Sequence, residues 1–303
     1  MKNTWFIIAN PTSGNKNFTK SWTDIKQLLQ KENISFSYEL TTHTGHEEKL
    51  VLKGIKKGYT RFISVGGDGT LHHVVNGIMQ QKEVATIKIT VAVIPLGTGN
   101  DWVKNHQISK DFKESIQLIQ QGKTSLHDIG FLELENTSRY FVILGGIGYD
   151  AYVVHKLNTL KRFGSIAYLL SGISGLLTYK KSNFKIEINQ QIIETSCLMT
   201  VFGNCKYTGG GMRLVDYKSY SDGLFDVSIF KNLTFFDLLI HLKKLYNGTI
   251  IHHKKVLILK TDKITVTPLN KNNIPFVQAD GELIGTGKVT VRLLKKVLNF
   301  IVS

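Results

Sequence analysis

The chain has 303 residues, of which 42% are hydrophobic, and a formal net charge of +15. This length exceeds the usual size of one hydrophobic core, so we expect two domains, with a single large α/β domain as the alternative. No long charged or low-complexity tract is present, which argues against a largely disordered protein. The positive charge suits phosphates, nucleic acid or an acidic membrane surface, and the lack of a recognisable nucleic-acid-binding pattern makes nucleic acid the weaker interpretation.

Three features of the sequence favour a cytoplasmic protein without a membrane span. Cys197 and Cys205 are too few for a disulfide scaffold and are expected to be buried thiols in a reducing compartment. The apolar stretch 5–9 is too short for the core of a signal peptide. The uncharged stretch 163–179 is at the lower length limit of a membrane span, and its serines and glycines favour a buried or surface-docking helix.

The first part of the chain alternates between strand-like and helix-like patterns. Short apolar runs predict strands over 5–9, 35–40, 61–65 and 89–94. Helical spacing predicts helices over 20–32, 47–57, 71–81 and 112–121. This alternation indicates a mostly parallel sheet covered on both faces, in which ligands bind beyond the carboxyl ends of the strands.

Polar or glycine-rich loops follow all of these strands. They are Asn10-Pro11-Thr12-Ser13-Gly14, Thr41-Thr42, Gly66-Gly67-Asp68-Gly69-Thr70 and Pro95-Leu96-Gly97-Thr98-Gly99-Asn100-Asp101. In the third loop, glycines let the backbone approach an oxyanion and the following helix offers free amides, which predicts a phosphate cradle. A carboxylate at Asp68 beside phosphate requires a cation, so this loop favours a magnesium-nucleotide. A glycine-rich turn that binds nothing is the alternative.

Beyond about residue 125 the chain changes to closely spaced strand-like runs. Strands are predicted over 125–134, 140–144, 184–189, 192–203, 224–230, 256–260, 263–268 and 289–294. The turn residues between them predict an antiparallel β domain with a few inserted helices. The predicted fold class is therefore α/β plus all-β.

The loops after the first, third and fourth strands and several later motifs resemble a known family. The later motifs are Gly145-Gly146-Ile147-Gly148-Tyr149-Asp150-Ala151, Gly209-Gly210-Gly211-Met212, Asp222-Gly223-Leu224 and Asp280-Gly281-Glu282. In this order, and over nearly the whole chain, they resemble the diacylglycerol kinase catalytic-domain family, which includes bacterial soluble lipid kinases and sphingosine kinases. The resemblance implies a phosphofructokinase-like N-terminal α/β domain, then an antiparallel β-sandwich domain, with ATP in the cleft between them.

The resemblance also implies domain roles and a nucleotide site. Residues 1–124 would form the nucleotide-binding domain, onto which the segment 295–303 would pack, and residues 125–294 would form the lipid-substrate domain. The family commonly has Asn-Glu where this chain has His72-His73, so only backbone contacts are expected to carry over there. The implied ATP-binding residues are Asn10, Pro11, Thr12, Ser13, Gly14, Thr41, Gly66, Gly67, Asp68, Gly69, Thr70, Leu71, His72, His73 and Thr98.

By the same resemblance, the proton acceptor falls in the Asp280-Gly281-Glu282 turn. Glu282 is the first choice and Asp280 the second. A carboxylate suits this role because a lipid hydroxyl must lose its proton as it attacks the γ-phosphate. From the residues alone, the Asp280-Gly281 pair is at least as consistent with a plain hairpin turn.

The resemblance further implies a Mg²⁺ ion of mainly structural importance. It would be bound by Asp222 and by the backbone oxygens of Ser219 and Leu224. As with the other Asp-Gly pair, the residues alone are at least as consistent with a hairpin turn.

The predicted function is an ATP-dependent lipid kinase that phosphorylates a hydroxyl of diacylglycerol or a related lipid alcohol. An NAD kinase-like phosphotransferase is one alternative, because such enzymes also carry a Gly-Gly-Asp-Gly-Thr run, although the loops 10–14 and 95–101 match lipid kinases better. A non-catalytic nucleotide or lipid sensor is another. The expected partners are the lipid alcohol and, peripherally, an anionic membrane surface. The oligomeric state is open, a homodimer included.

Overall fold

The fold is seen in a computed structural model that describes residues 4–14, 17–97, 99–160, 179–233, 237, 240–270 and 272–303. The chain forms two compact units. The first unit runs through Ile129 and also contains Lys295–Ser303, and the second unit comprises Gly130–Leu294. Of the sequence predictions, Thr98 and all but the last residue of the stretch 163–179 lie outside the described residues.

The first unit is a parallel sheet with helices connecting its strands. Buried apolar runs form the three central strands, as expected for a sheet covered on both faces. The strand order is β15-β4-β3-β1-β2, and every neighbouring pair is parallel. The strands are β1 (Trp5–Ala9), β2 (Phe36–Leu40), β3 (Arg61–Gly66), β4 (Thr90–Pro95) and the last part of β15 (Val289–Ile301).

The helices of the first unit pack one apolar face on this sheet. In the first helix, Trp22, Ile25 and Leu29 recur at helical spacing, are buried and pack in a core cluster that includes Ile7 and Ile63 of the sheet. The helices are α1 (Phe18–Lys31), α2 (His46–Lys56), α3 (Asp68–Gln80), α4 (Asp101–Asn105) and α5 (Phe112–Gln121), with a 3₁₀ turn at Thr86–Lys88.

The second unit is an antiparallel β-sandwich. Its main strand order is β14-β13-β7-β9-β8-β12-β15, and β10 pairs with both β9 and β11. The elements that lie wholly in it are β6 (Ser138–Phe141), β7 (Leu144–Gly148), α6 (Tyr149–Leu160), β8 (Ser182–Ile188), β9 (Gln191–Gly203), β10 (Phe225–Lys231), α7 (Leu242–Asn247), β11 (Val256–Thr261), β12 (Lys263–Pro268), β13 (Phe276–Ala279) and β14 (Glu282–Thr286). A 3₁₀ turn lies at Thr249–His252, and β5 (Thr124–Glu133) and β15 each begin in one unit and end in the other.

Alternating side chains build the core of the second unit. In β8, Phe184, Ile186 and Ile188 are buried and belong to its core cluster, whereas Glu187, between two of them, is exposed. The predicted fold class, a mixed α/β domain followed by an antiparallel β-sandwich, is confirmed.

The prediction of one continuous strand over 140–144 was wrong. The structure has two strands there, β6 and β7, which are separated by Val142 and Ile143. The N–H groups of these two residues donate to the carboxylate of Asp280. A side chain thus takes the place of a neighbouring strand as their hydrogen-bond acceptor.

Candidate active site

Three loops of the first unit lie side by side at the carboxyl edge of its sheet, because they follow the adjacent strands β1, β3 and β4. Asn10 joins two of them: its Nδ2 donates to Thr70 Oγ1 at 3.2 Å. Its Oδ1 accepts from the N–H and the hydroxyl of Thr12 at 2.9 and 2.8 Å. Asn10 therefore holds the first loop against the third. The first loop comprises residues 10–14, the third 66–70 and the fourth 96–101.

The third loop brings the backbone amides at the start of α3 to this edge. A Cβ atom at Gly66 would lie 2.3 Å from Thr70 Oγ1, so this position requires glycine. Gly67 is the N-cap of α3, and a Cβ atom there would meet nothing closer than 3.7 Å. The first amides of a helix have no acceptor within it, and the helix dipole adds positive potential at that end. The start of α3 therefore has the backbone geometry and the positive potential that suit a phosphate group.

Asp68, the first residue of α3, joins the third loop to the fourth. Its carboxylate accepts the N–H of Asp101 at 2.8 Å and the N–H of Trp102 at 3.2 Å, and so caps α4. The two loops also meet through their backbones, since a Cβ atom at Gly97 would lie 3.0 Å from the Cα of Gly67. The negative charge of Asp68 is thus matched by the positive end of a second helix.

Four of the predicted site residues outside the third loop are buried: Thr41, Leu71, His72 and His73. Thr41 is buried, and its N–H extends the pairing of β2 with β1 by donating to Ala9. Leu71 and His72 are also buried, and His72 Nε2 lies 3.3 Å from the Nδ2 of Asn76. These three side chains are therefore turned into the fold, whereas Gly67, Asp68 and Gly69 of the third loop are only partly buried. The first and third loops also contain predicted residues that are not buried, namely Pro11, Ser13, Gly14 and Gly69.

His73 has a different environment from His72. Its Nδ1 lies 2.9 Å from Glu48 Oε1 of α2, so it forms a hydrogen-bonded pair between two helices. The two histidines therefore face different partners, as expected for neighbours in a helix.

Asp280 and Gly281 form the two-residue turn of the β13–β14 hairpin, and both have positive φ angles, of 50° and 83°. The Asp280 carboxylate accepts three backbone N–H groups, from Val142, Ile143 and Leu144, at 2.9, 2.8 and 3.0 Å. Its own N–H donates to the carbonyl of Leu144. Asp280 is thereby committed to holding the chain between β6 and β7.

Glu282 is the first residue of β14 and pairs with Ala279 across the hairpin. Its side chain is partly buried. Within the described residues, its carboxylate forms no hydrogen bond or ion pair, in contrast to that of Asp280. Of the two carboxylates in the turn, that of Glu282 is the one with oxygens available to a substrate.

Comparison with known proteins places this chain in a family. Residues 4–132 match the family model described as diacylglycerol kinase catalytic domain, and residues 145–302 match the YegS C-terminal NAD kinase beta sandwich-like domain. The "Putative lipid kinase YtlR" of Bacillus subtilis is 30% identical over 93% of this chain and 94% of its own length. The chain belongs to the family of lipid kinases with a diacylglycerol kinase catalytic domain.

Other members of this lipid kinase family agree with the assignment. A protein named diacylglycerol kinase from Staphylococcus haemolyticus is 28% identical over 92% of this chain and 82% of its own. The crystal structure of a "putative diacylglycerol kinase" from Bacillus anthracis has the same fold, with a TM-score of 0.80, 22% identity and coverage of 99% and 97%. No described helix of this lipid kinase is both long and apolar enough to cross a membrane.

The predicted magnesium residues of the lipid kinase lie on a loop before β10. Asp222 is already engaged, since its Oδ1 accepts the N–H of Leu224 at 3.2 Å and its Oδ2 lies 2.8 Å from the ammonium of Lys260. Ser219 Oγ accepts the N–H of Ser221. Lys260 already supplies positive charge there, and among the described residues no three His, Cys, Asp or Glu side chains could hold a metal. The predicted site has a single carboxylate, and that carboxylate is paired with Lys260, so the Mg²⁺ ion stays a prediction.

The sequence interpretation of the lipid kinase omitted residues of the fourth loop from the site. Asn100 has a left-handed backbone, with φ of 51°, and its Nδ2 donates to the carbonyl of Gly97 at 2.8 Å. Asp101 and Trp102 supply the amides that hold Asp68. The signal was in the sequence, because Asn-Asp before an apolar residue is typical of a helix start.

Proposed function

We propose that this lipid kinase transfers the γ-phosphoryl group of ATP to the hydroxyl of diacylglycerol or a related lipid alcohol. The observation that carries the proposal is the joining of the first, third and fourth loops around the amides at the start of α3. Relatives named diacylglycerol kinase support the choice of acceptor.

In this proposal ATP is bound as its magnesium complex by the first unit. The amides of Gly67, Asp68 and Gly69 receive phosphate oxygens, and Asn10 and Asp68 keep the three loops in register. Magnesium bound with the nucleotide would supply positive charge to the phosphate groups. Asp222 has no part in this step, because its carboxylate is paired with a lysine.

The second unit supplies the base in this proposal, and it also binds the lipid. Glu282 accepts the proton of the lipid hydroxyl as its oxygen bonds to the γ-phosphorus. The bond from that phosphorus to the β–γ bridging oxygen breaks, and ADP leaves. Glu282 is preferred over Asp280 because three backbone N–H groups already bind the Asp280 carboxylate.

Incubation of the purified protein with labelled magnesium-ATP and either diacylglycerol vesicles or NAD tests this proposal. Label is expected in the lipid fraction alone. Glu282→Gln is expected to lower kcat by about 10²- to 10⁴-fold, the usual contribution of a general base, at an unchanged melting temperature. Label on NAD alone would support the NAD kinase-like alternative, and nucleotide binding without transfer to any acceptor would support the sensor alternative. An undiminished rate for Glu282→Gln would show that the base lies elsewhere.

We also propose that the protein reaches its substrate by peripheral contact with an anionic membrane surface. The formal charge of +15 supports this, because anionic headgroups attract basic proteins.

A further inference from the structure

Gly146 creates a small space in the sheet of the second unit. It lies in β7 directly opposite Gln278 of β13. A Cβ atom on Gly146 would lie 1.8 Å from Oδ2 of Asp150, which belongs to the first turn of α6. The missing side chain therefore makes room for the Asp150 carboxylate over the sheet, within reach of Gln278.

Asp150 uses this space to bind Gln278. Its Oδ2 accepts from Gln278 Nε2 at 2.9 Å, and its Oδ1 is buried without a hydrogen-bond partner in the part of the chain that the structure describes. Burial raises the pKa of Asp150 to about 6. Burying a carboxylate costs free energy that an apolar side chain in the same place would avoid. The presence of Asp150 in this β-sandwich therefore requires an explanation beyond packing.

Gln278 connects Asp150 to the turn of the β13–β14 hairpin. While its Nε2 donates to Asp150, its Oε1 accepts the N–H of Gly281 at 2.9 Å. The carboxylate can only accept and the backbone N–H can only donate, so they fix which way the side-chain amide points. With its amide reversed, Gln278 would place its Oε1 against the Asp150 carboxylate and its Nε2 against the N–H of Gly281.

Gly281 stands directly before Glu282, the proposed base. The turn is thus held from two sides, by the Asp280 carboxylate on the amides of residues 142–144 and by Gln278 on Gly281. The first contact fixes one residue of the turn and the second fixes the other. A rigid turn fixes the position of the Glu282 backbone and so limits the positions that its carboxylate can reach.

We infer that Asp150 and Gln278 are positioning residues of the lipid kinase, which set the orientation of the Glu282 carboxylate through the N–H of Gly281. The inference rests on the proposed function, in which Glu282 is the base. A purely structural role makes a different prediction. Asp150 also lies in the first turn of α6, where a negative charge is stabilising, and if it served the helix alone, its loss would lower stability without a specific effect on turnover.

A charge-exchange pair separates these roles. Gln278→Glu retains an acceptor for Gly281 but sets two carboxylates against each other. Adding Asp150→Asn restores the hydrogen bond between the two side chains with donor and acceptor exchanged, because the new amide can donate to the new carboxylate, whose other oxygen still accepts from Gly281. Gln278→Met removes both hydrogen bonds while keeping a side chain of similar length.

The experiment measures kcat, KM for ATP, KM for diacylglycerol and the melting temperature of these variants. Gln278→Glu and Gln278→Met are expected to lower kcat by about 10- to 100-fold, the effect of a misplaced reacting group, with each KM within about twofold of the parent value. The double variant Asp150→Asn/Gln278→Glu is expected to recover kcat to within about threefold. If either single variant fails to fold, the other and the double variant still carry the test.

Asn189→Gly is the matched control. Asn189 lies at a positive φ of 48° in the β8–β9 hairpin, where its Nδ2 donates to the carbonyl of Lys260 at 2.9 Å. Replacing it with glycine removes this hydrogen bond to Lys260 and should lower the melting temperature without changing kcat.

Two results would overturn the inference: an unchanged kcat in Gln278→Met, or a double variant no more active than Gln278→Glu. A fall in kcat equal to that of Asn189→Gly at the same loss of stability would assign the network to folding alone. Full activity of Glu282→Gln would instead reject the base in the proposed function, and this result is independent of every Gln278 variant.

Discussion

Asp280 and Glu282 stand two positions apart on one hairpin, yet their carboxylates have different surroundings. The three N–H groups that donate to Asp280 would have no acceptor without it, and a buried donor left unsatisfied costs about 1–3 kcal/mol. The Glu282 carboxylate has no such hydrogen bonds among the described residues. The first carboxylate therefore holds the fold, and the second is available for chemistry.

This contrast predicts opposite consequences for two conservative substitutions. Asp280→Asn retains one acceptor oxygen but turns the other into a donor facing backbone N–H groups, so the free energy of unfolding should fall by about 1–3 kcal/mol. Glu282→Gln should leave stability unchanged and lower kcat. Urea unfolding and steady-state kinetics on both variants check this. Equal stability losses in the two variants would contradict the distinction.

The two adjacent glycines of the third loop should also differ. Gly66→Ala places a methyl group 2.3 Å from Thr70 Oγ1, so we expect a loss of stability of about 1–3 kcal/mol from overpacking. Gly67→Ala has space for its methyl group and an allowed φ of −97°, so stability should be retained. A methyl group at the N-cap would hinder close approach of a phosphate, and KM for ATP should rise. Thermal unfolding and ATP kinetics on the pair provide the test.

The sequence could identify the types of residue in the site, but not the hydrogen-bond partners that engage their side chains. The Asp280-Gly281 pair indicated a turn, and the structure has one. The three donors to Asp280 lie 136 to 138 positions away, so no local pattern reveals which carboxylate is engaged. The partners of Asp68 are likewise 33 and 34 positions distant.

At the level of elements, a cluster of aromatic side chains joins α4, β5 and the end of β15 in the first unit. The rings of His106 and His127 are tilted by 37° with centroids 4.7 Å apart, and both contact Trp102, at 4.3 and 6.0 Å. Phe300 lies 4.7 Å from the ring of His127. Burial lowers the pKa of His106 to about 3, and burial and the neighbouring His106 lower that of His127 to about 2.

These histidines predict a loss of stability in acid. Their folded pKa values lie below the unfolded value of about 6.5, so below that pH the unfolded chain binds protons that the folded chain does not. The contribution is complete above pH 6.5 and falls as the pH drops, by about 2 kcal/mol per histidine at pH 5.

Substitution His106→Phe should therefore flatten the dependence of unfolding free energy on pH between 7 and 5. His252→Gln is the control, because His252 is exposed and its loss should leave the curve unchanged. Urea unfolding at several pH values measures both variants. A slope in His106→Phe equal to that of the parent would show that His106 is not held neutral.

Elements with a strong period were predictable, and those set by distant contacts were not. The helices with one buried stripe, such as Phe18–Lys31, and the buried parallel strands were expected from spacing alone. The hairpin strands Phe276–Ala279 and Glu282–Thr286 were absent from the expectation, since each is short and carries no clear alternation. The short helix Asp101–Asn105 depends on a cap from Asp68, which spacing cannot show.

At the scale of the whole molecule, the excess of 38 basic over 23 acidic residues is the feature that supports the proposed contact with an anionic membrane. A kinase for a lipid alcohol must act at the headgroup level of a bilayer. Each lysine or arginine near an anionic surface contributes about 1 kcal/mol of attraction. A few such contacts suffice for reversible association, which permits release of product.

The positive charge predicts that vesicle binding depends on both anionic lipid and salt. Raising ionic strength from about 0.01 M to about 1 M shortens the Debye length from about 30 Å to about 3 Å, so electrostatic association should be largely lost. Sedimentation with vesicles containing phosphatidylglycerol, compared with phosphatidylcholine vesicles, measures this. Turnover of diacylglycerol in anionic vesicles should fall with salt, whereas turnover of a short-chain, water-dispersed diacylglycerol should not. Equal salt sensitivity of both substrates would place the effect in catalysis, and salt-independent binding would reject electrostatic docking.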